Sequence, residues 1–232
     1  MLHRFVLAGA LLLGALATFP PLPAQESAPE ASVGGPELPG GGRIACELPG
    51  ELHRRNIGSP PPNGPGCCVF TSIHHAALWQ GLPAVAEMPK WMVASGIPGG
   101  GYPAKVRTLI ERVCKERAMP VPAYIQVEDS DLEIVKAACR SGRMVCSTYG
   151  ISPTKRYGGQ PINHMVNTVH ADEGLFVVLD NNYPGANAYE HMTPADWLRA
   201  YRTVAGPTGR AIDNGQGWSV IFLGPPPPPL PN

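Results

Sequence analysis

Three residue types that together perform acyl transfer occur in order along this chain. Cys68 lies in the segment GCCVFTS (66–72), His164 lies in INHMVNTV (162–169), and Asn181 follows the apolar run FVVLD (176–180). A thiol becomes a strong nucleophile when a histidine takes its proton, and that histidine needs an amide or carboxylate to fix its ring. The order cysteine, histidine, asparagine therefore predicts a centre that attacks a carbonyl carbon.

The local sequence places Cys68 at the beginning of a helix. A Gly-Pro-Gly turn (64–66) precedes it, and apolar residues then recur at helical spacing as far as Gln80. The N-terminus of a helix favours an anion, so the thiol pKa should fall there. Cys67 is the competing nucleophile, and only one of the two can face a cleft because helix neighbours lie about 100° apart.

The other two residues are predicted to lie at one end of a hairpin. Residues 164–170 and 175–180 read as strands joined by the loop ADEG (171–174). Such a hairpin brings His164 and Asn181 together, so the amide could hold the ring. Asp180 could do the same work, and alternation along a strand puts only one of the two on the histidine side. The sequence leaves this choice open.

Further elements are predicted from periodicity and capping residues. Helices are expected over 88–95, 104–117, from 131 to 140 and from 193 to 201, and strands over 124–127, 144–149 and 218–223. Helices come first and strands follow, without a repeated strand–helix–strand rhythm. The pattern predicts an α+β fold with a helical half and a strand half that are segregated along the chain.

Composition divides the 232 residues into four parts. Residues 1–24 read as a secretory signal peptide, because a basic residue precedes an apolar stretch too short for a membrane span. Residues 25–45, rich in Pro and Gly, are expected to be a disordered linker. Residues 46–224 form the predicted catalytic domain, and 225–232 a polyproline tail. We therefore expect a secreted or periplasmic protein without stable membrane insertion after signal cleavage.

The charge and the cysteine content of the chain limit the kinds of partner, cofactor and disulfide that we expect. The formal net charge is 0, with no basic run, so nucleic acid is not an expected partner. The pairs His74-His75 and Glu190-His191 lack metal-ligand spacing with the cysteines, so we interpret them as surface or core residues and expect no metal site. Acyl transfer through a cysteine, a histidine and an asparagine needs no cofactor. Six cysteines in an exported chain permit disulfides, at most two if one thiol remains the nucleophile.

The motifs resemble those of papain-like cysteine peptidases. GCCVFTS is similar to that family's nucleophile segment GSCWAFS, and the segment around His164 is similar to its His-Ala-Val strand. NNY (181–183) resembles its Asn-Ser-Trp, and GGYP (100–103) is identical to its substrate loop. These short motifs span residues 63–223, with weak similarity between them.

The resemblance implies a compact, divergent papain-like cysteine peptidase acting on peptides or proteins. It also implies a papain-like α+β fold, in which a helical half is followed by an antiparallel β-sheet half and the active-site cleft lies between them. Cys68 would be the nucleophile, His164 the acid and base, and Asn181 the residue that holds the ring. Pro62 stands where the family has its oxyanion glutamine, so Asn63, one residue later, is the expected donor.

The same resemblance implies a substrate cradle. The backbones of Gly100 and Gly101 would pair with the substrate. Tyr102 and Pro103, faced by Ile162, would form an apolar wall for the residue two before the cleaved bond.

Two other functions stay open on the same sequence. One is another acyl-transfer enzyme, transglutaminase-like or bacteriocin-processing-like. The bacteriocin-processing type fits better if Asp180 holds the ring. The other is a catalytically inactive papain-like binding module.

Overall fold

The computed structural model describes residues 30–57 and 66–225. Its helices are α1 (Cys68–Trp79), α2 (Pro83–Ala86), α3 (Met88–Ala94), α4 (Pro103–Glu116), α5 (Leu132–Arg140) and α6 (Pro194–Arg202). Its strands are β1 (Ser32–Gly34), β2 (Tyr124–Val127), β3 (Val145–Tyr149), β4 (His164–Ala171), β5 (Phe176–Leu179), β6 (Tyr189–Met192), β7 (Thr203–Ala205), β8 (Ala211–Asp213) and β9 (Ser219–Phe222). The predicted signal peptide and residues 226–232 of the predicted tail lie outside the described residues.

Seven strands form one sheet in the order β1-β6-β5-β4-β3-β9-β2, and β7 and β8 form a separate hairpin. Every described strand pairing is antiparallel. Helices α1 to α4 and the sheet enclose one apolar core, and α5 and α6 cover a second core that uses the alternate residues of the same strands. The predicted α+β class with an antiparallel sheet is confirmed.

Helix α1 is the element that the rest of the fold encloses. Its first ten residues, 68–77, are all buried, including polar ones. The polar side chains find acceptors inside the core: Ser72 Oγ, for example, donates to the Met165 carbonyl over 3.0 Å. Burial on all sides fixes the helix against the central strand β4, so Cys68 at its first turn has a fixed position.

The predicted disordered linker is wrong for its described part. Residues 32–34 form β1, which pairs with β6 at the edge of the sheet. Ile44 is buried, with 5% of its surface exposed. An edge strand is held by backbone hydrogen bonds and does not need large apolar side chains. The composition of this segment, which has few such side chains, therefore suggested disorder. The ordered fold thus begins before residue 46.

Three further strands were absent from the sequence prediction. Strand β6 carries polar residues yet is wholly buried, and β7 and β8 are three-residue strands around a turn. Over the described residues, no helix has the length and apolar character that a membrane span requires.

Candidate active site

Cys68 lies at the wall of a cleft between α1 and the sheet. It is the first residue of α1, and 9% of its surface is exposed. Cys67 is fully buried, does not line the cleft, and donates its backbone N–H to the Ile57 carbonyl over 2.9 Å. Of the two adjacent thiols, Cys68 is therefore the one that a substrate in the cleft can reach.

His164 is the first residue of β4 and bonds to the Cys68 thiol. Its Nε2 lies 3.0 Å from Asp180 Oδ1. Because Nε2 is committed to the carboxylate, Nδ1 is the ring nitrogen that remains for the thiol. The structure thus brings together a cysteine, a histidine and an aspartate in one buried line.

The prediction that Asn181 holds the histidine ring is wrong. Its side-chain Nδ2 instead lies 2.9 Å from the Met165 carbonyl, 3.0 Å from Ser72 Oγ and 3.3 Å from the Cys68 carbonyl. These bonds tie the first turn of α1 to β4. Asp180 and Asn181 are neighbours on a strand end and point to opposite sides, so only Asp180 reaches the ring.

Asp180 is fully buried and held by several donors. The Tyr157 hydroxyl donates to Oδ2 over 2.6 Å, and the Asn182 backbone N–H donates to Oδ1 over 2.9 Å. Arg156 Nη1 lies 3.5 Å from Oδ2. A carboxylate with this many donors keeps its charge despite burial.

The charges of the three groups stabilise one another. Burial raises the pKa of the Cys68 thiol, but the hydrogen bond and positive charge of His164 more than offset it, so the pKa falls below its usual value. Burial disfavours the imidazolium, but the bonds to Asp180 and Cys68 raise the pKa of His164 to about 9. Burial likewise opposes ionisation of Asp180, but the His164 bond holds its pKa below the usual value. The arrangement favours a thiolate–imidazolium pair.

The loop between β3 and β4 (150–163) positions Tyr157, which sequence reasoning missed. Tyr157 has a φ of +59°, an uncommon conformation for a side-chain-bearing residue, and its ring meets the His164 ring edge-on at 6.0 Å. The guanidinium of Arg156 donates to the carbonyls of Asn187, Ala188 and Tyr189 and so anchors the loop to β6.

A buried carboxylate, Glu190, anchors the same loop. It has no exposed surface and accepts from Ser152 Oγ over 2.5 Å and from the backbone N–H of Thr154 over 3.2 Å. The hydroxyls of Tyr149 and Thr154 also donate to it. No local pattern in the sequence indicated this role, because β6 was not predicted as a strand.

The cleft has a volume of about 730 Å³. Its helical side is formed by Asn56, Gly66, Cys68, Val69, Gly100 and Gly101, and its sheet side by Thr148, Tyr149, Tyr157, Pro161, Ile162, Asn163, His164, Met165, Asn182, Thr203, Val204, Ala205 and Trp218. None of these lining residues is Asp, Glu, Lys or Arg.

The glycine-rich loop reaches the cleft only in part. Gly100 and Gly101 line it, and the Gly100 N–H donates to the Gly66 carbonyl over 2.9 Å. A Cβ on Gly101 would lie 2.6 Å from Val69 Cβ, so this position needs glycine for the loop to pack against α1. Tyr102 is 60% exposed, and neither it nor Pro103 lines the cleft. The prediction that these two residues form the apolar wall is therefore wrong.

Ile162 lies in the cleft lining, as its predicted position requires. Asn63, the predicted oxyanion donor, lies outside the described residues. A different asparagine, Asn56, lies beside Gly66 and Cys68 at the helical side of the cleft.

The other described thiols are poor nucleophiles. Cys46, Cys114, Cys139 and Cys146 are buried and form no disulfide with any described residue. Burial raises the pKa of all four thiols, that of Cys46 to about 12. Within residues 30–57 and 66–225, no group of three or more His, Cys, Asp and Glu side chains could hold a metal ion.

Comparison with solved structures finds distant structural similarities. A crystal structure described as that of a "putative C39-like peptidase" from Bacillus anthracis aligns with 78% of this chain and 98% of its own, at 11% identity and a TM-score of 0.45. No protein-family model and no curated protein matches the chain. The fold class therefore rests on the sheet and helices described above.

Proposed function

We propose that this protein is a papain-like cysteine hydrolase that cleaves peptide or isopeptide bonds. The observation that supports it is the buried line from Cys68 through His164 to Asp180, with the thiol at the wall of a cleft. A structural cysteine gains nothing from a histidine whose pKa is raised to about 9, whereas a nucleophile needs that counter-charge.

The reaction would follow from the charges of this line. The Cys68 thiolate attacks the substrate carbonyl carbon, and a carbon–sulfur bond forms as the carbonyl oxygen takes the negative charge. When the carbon–nitrogen bond breaks, His164 gives its Nδ1 proton to the leaving amine. The neutral ring then takes a proton from water, whose oxygen attacks the thioester and releases the acid and the Cys68 thiolate.

Two variants and a labelling experiment test the assignment of the nucleophile. The purified full chain is incubated with a peptide library, and products are identified by mass spectrometry. Cys68→Ala should abolish cleavage, and Cys67→Ala should retain much of it. In parallel, iodoacetamide should label Cys68 faster than Cys46, Cys114, Cys139 or Cys146. Cleavage that survives Cys68→Ala would remove the proposed mechanism.

One observation favours a second candidate, an acyl-transfer enzyme of the bacteriocin-processing type. The residue on the histidine ring is an aspartate, whereas the asparagine of the papain motif serves a structural bond. The two candidates differ in their products. A general peptidase cuts many library peptides, whereas a processing enzyme cuts one type of leader junction, and a transglutaminase-like enzyme joins an added primary amine to the acyl group. Mass spectrometry of the same reactions with and without such an amine distinguishes them.

Export is the second part of this proposal. It is supported by the apolar segment and its possible cleavage sites after Ala17 or Ala24. N-terminal sequencing of the mature protein from cell fractions tests it. A protein that retains Met1 in the cytoplasmic fraction would exclude export.

A further inference from the structure

We propose that the side-chain amide of Asn56 donates a hydrogen bond to the oxyanion, in the role that the sequence suggested for Asn63. This inference rests on the proposed function and adds a catalytic residue to it. Asn56 precedes the nucleophile by twelve residues and belongs to no motif, so only its place in the fold identifies it.

The position of Asn56 is fixed beside the nucleophile. Its Nδ2 would lie 3.0 Å from a Cβ built on Gly66, so the amide packs against the bare Cα two residues before Cys68. The Asn56 backbone N–H donates to the Asn181 carbonyl over 2.7 Å. Asn181 also donates to the Cys68 carbonyl, so the same residue holds both Asn56 and the first turn of α1.

The direction of the amide follows from a chain of hydrogen bonds that begins at Asp180. A carboxylate only accepts, so the Tyr157 hydroxyl must donate to it, over 2.6 Å. The Tyr157 oxygen then accepts from Asn182 Nδ2 over 3.1 Å, which turns Asn182 Oδ1 towards Asn56. Asn182 Oδ1 accepts from Asn56 Nδ2 over 3.0 Å. Each acceptor in this chain fixes which group must be the next donor, so Asn56 must direct its NH2 group, and not its oxygen, towards Asn182 Oδ1.

One hydrogen of that NH2 group remains for a ligand. The bond to Asn182 uses a single N–H, and no described acceptor takes the other. Reversing the amide would bring Asn56 Oδ1 against Asn182 Oδ1, two acceptors without a proton, which the chain of bonds excludes. Asn56 Oδ1 itself is buried without a partner among the described residues, so nothing on that side opposes this orientation.

The backbone N–H of Cys68 is the second hydrogen-bond donor for the oxyanion. Cys68 is the first residue of α1, and the first N–H groups of a helix have no acceptor within the helix. A carbonyl carbon attacked by the thiol would carry its oxygen between the Cys68 N–H and the Asn56 amide. Removing one such donor costs about 10²–10³ in the rate of the chemical step.

The test separates oxyanion stabilisation from thiol reactivity. Alkylation by iodoacetamide needs the thiolate but forms no oxyanion, whereas acylation by p-nitrophenyl acetate and peptide cleavage need both. Asn56→Ala should lower acylation and kcat by about 10²–10³, with KM changed by less than about threefold and the alkylation rate changed by less than about twofold. Asn63→Ala tests the residue that the sequence suggested for this role. Asn214→Ala changes an exposed asparagine outside the cleft lining; it is the matched control and should leave all three rates near those of the wild type.

Each outcome decides the proposal. Equal loss of alkylation and acylation in Asn56→Ala would make Asn56 a structural residue, and a large loss in Asn63→Ala alone would return the role to Asn63. If Asn56→Ala does not fold, Asn56→Asp has nearly the same volume and should lose acylation in the same way. A wild type that is acylated by the ester but cleaves no peptide would overturn the peptidase assignment alone. A thiol that alkylates normally but is never acylated would overturn the Asn56 role.

Discussion

At the residue scale, the buried partners of His164 decide the chemistry. Asp180 accepts from the ring and from Tyr157, while Asn181 ties α1 to β4. The two neighbouring residues therefore have separate tasks, one electrostatic and one mechanical. Substitution of each should produce a different kind of defect.

Asp180→Asn and Asn181→Ala form a matched pair. Asp180→Asn removes the charge that supports the imidazolium, so kcat/KM should fall by about 10²-fold or more while the protein still folds. Asn181→Ala leaves buried acceptors without a donor, so the free energy of unfolding should fall by about 1–3 kcal/mol. Steady-state kinetics and urea unfolding measure the two effects. Equal kinetic loss in both variants, without loss of stability, would contradict the division of roles.

The pH dependence of the reaction follows from the same pair of charges. Because the pKa of Cys68 is lowered and that of His164 is raised to about 9, the ion pair should persist through neutral pH. Cleavage should fall as the pH rises through about 9, since a neutral His164 cannot protonate the leaving amine. In Asp180→Asn the alkaline limb should move to lower pH. A profile of kcat/KM from pH 4 to 10 measures both limbs, and an alkaline limb unmoved by Asp180→Asn would argue against this assignment.

At the element scale, β7 closes the sheet side of the cleft against the end of β3. Gly150, which follows β3, donates its backbone N–H to the Ala200 carbonyl over 2.7 Å. The Asn163 side chain and the Ala205 backbone exchange two hydrogen bonds that hold β7 beside the start of β4. Val204 and Ala205 thereby become part of the cleft lining.

Gly150→Ala should disturb the packing of the end of β3 against β7. A Cβ there would lie 1.7 Å from the Thr203 carbonyl oxygen, so β7 must move. We expect a lower melting temperature and a raised KM, because the cleft wall shifts. Gly174→Ala is the control, since its nearest atom would be 3.9 Å from the added Cβ. Thermal melts and peptide kinetics of both variants measure this, and similar results for the two would refute the role of Gly150.

The lining of the sheet side also predicts substrate preference. Ile162, Val204, Ala205 and Trp218 present apolar surface, and no Asp, Glu, Lys or Arg side chain lines the cleft. An apolar side chain two residues before the cleaved bond should therefore be favoured over a charged one, which would lose its water without gaining a partner. Peptides with Leu, Val or Phe at that position should be cleaved faster than those with Asp, Lys or Gly. A preference for Asp or Lys in the profile would contradict this.

At the scale of the whole molecule, three buried histidines pack together: His53 and two residues of α1, His74 and His75. The ring centroids of His74 and His75 lie 5.6 Å apart, and those of His53 and His75 lie 6.3 Å apart. His75 Nε2 accepts from the Arg54 backbone N–H over 2.8 Å, which requires an unprotonated nitrogen. Burial, with the neighbouring His74 next in effect, lowers the pKa of His75 to about 3. The cluster is stable only while neutral.

This cluster should make the fold sensitive to acid. The pKa of His75 is below the unfolded value of 6.5, so its contribution is fully present above 6.5 and is lost as the pH falls towards about 3. The slope from this one group is at most about 1.4 kcal/mol per pH unit. Urea unfolding between pH 7 and 4 measures it, and His75→Gln should have a shallower slope. Identical slopes for the two proteins would exclude His75 as the cause.

Local patterns in the sequence predict which residues could do the chemistry and that the fold is of the α+β class. The helix beginning at Cys68 and the strand beginning at His164 both follow from local spacing. Local periodicity is strong in long helices, which is why α1 and α4 were predicted closely. It is weak in the buried polar strand β6 and in the loop that carries Tyr157, where tertiary contacts fix the conformation.

The choice between Asp180 and Asn181 as the partner of His164 depends on the register of the β4–β5 pair. The predicted loop 171–174 would pair residue 170 with 175 and therefore 164 with 181. A β-bulge between Thr168 and His170 shifts the register by one residue. Asn167 therefore pairs with Leu179, and Thr168 pairs with Val178. In that register Asp180 shares the face of His164, and Asn181 turns towards α1. A shift of one residue exchanges the two faces of a strand, and packing on both faces of the sheet, which no local pattern encodes, selects the register.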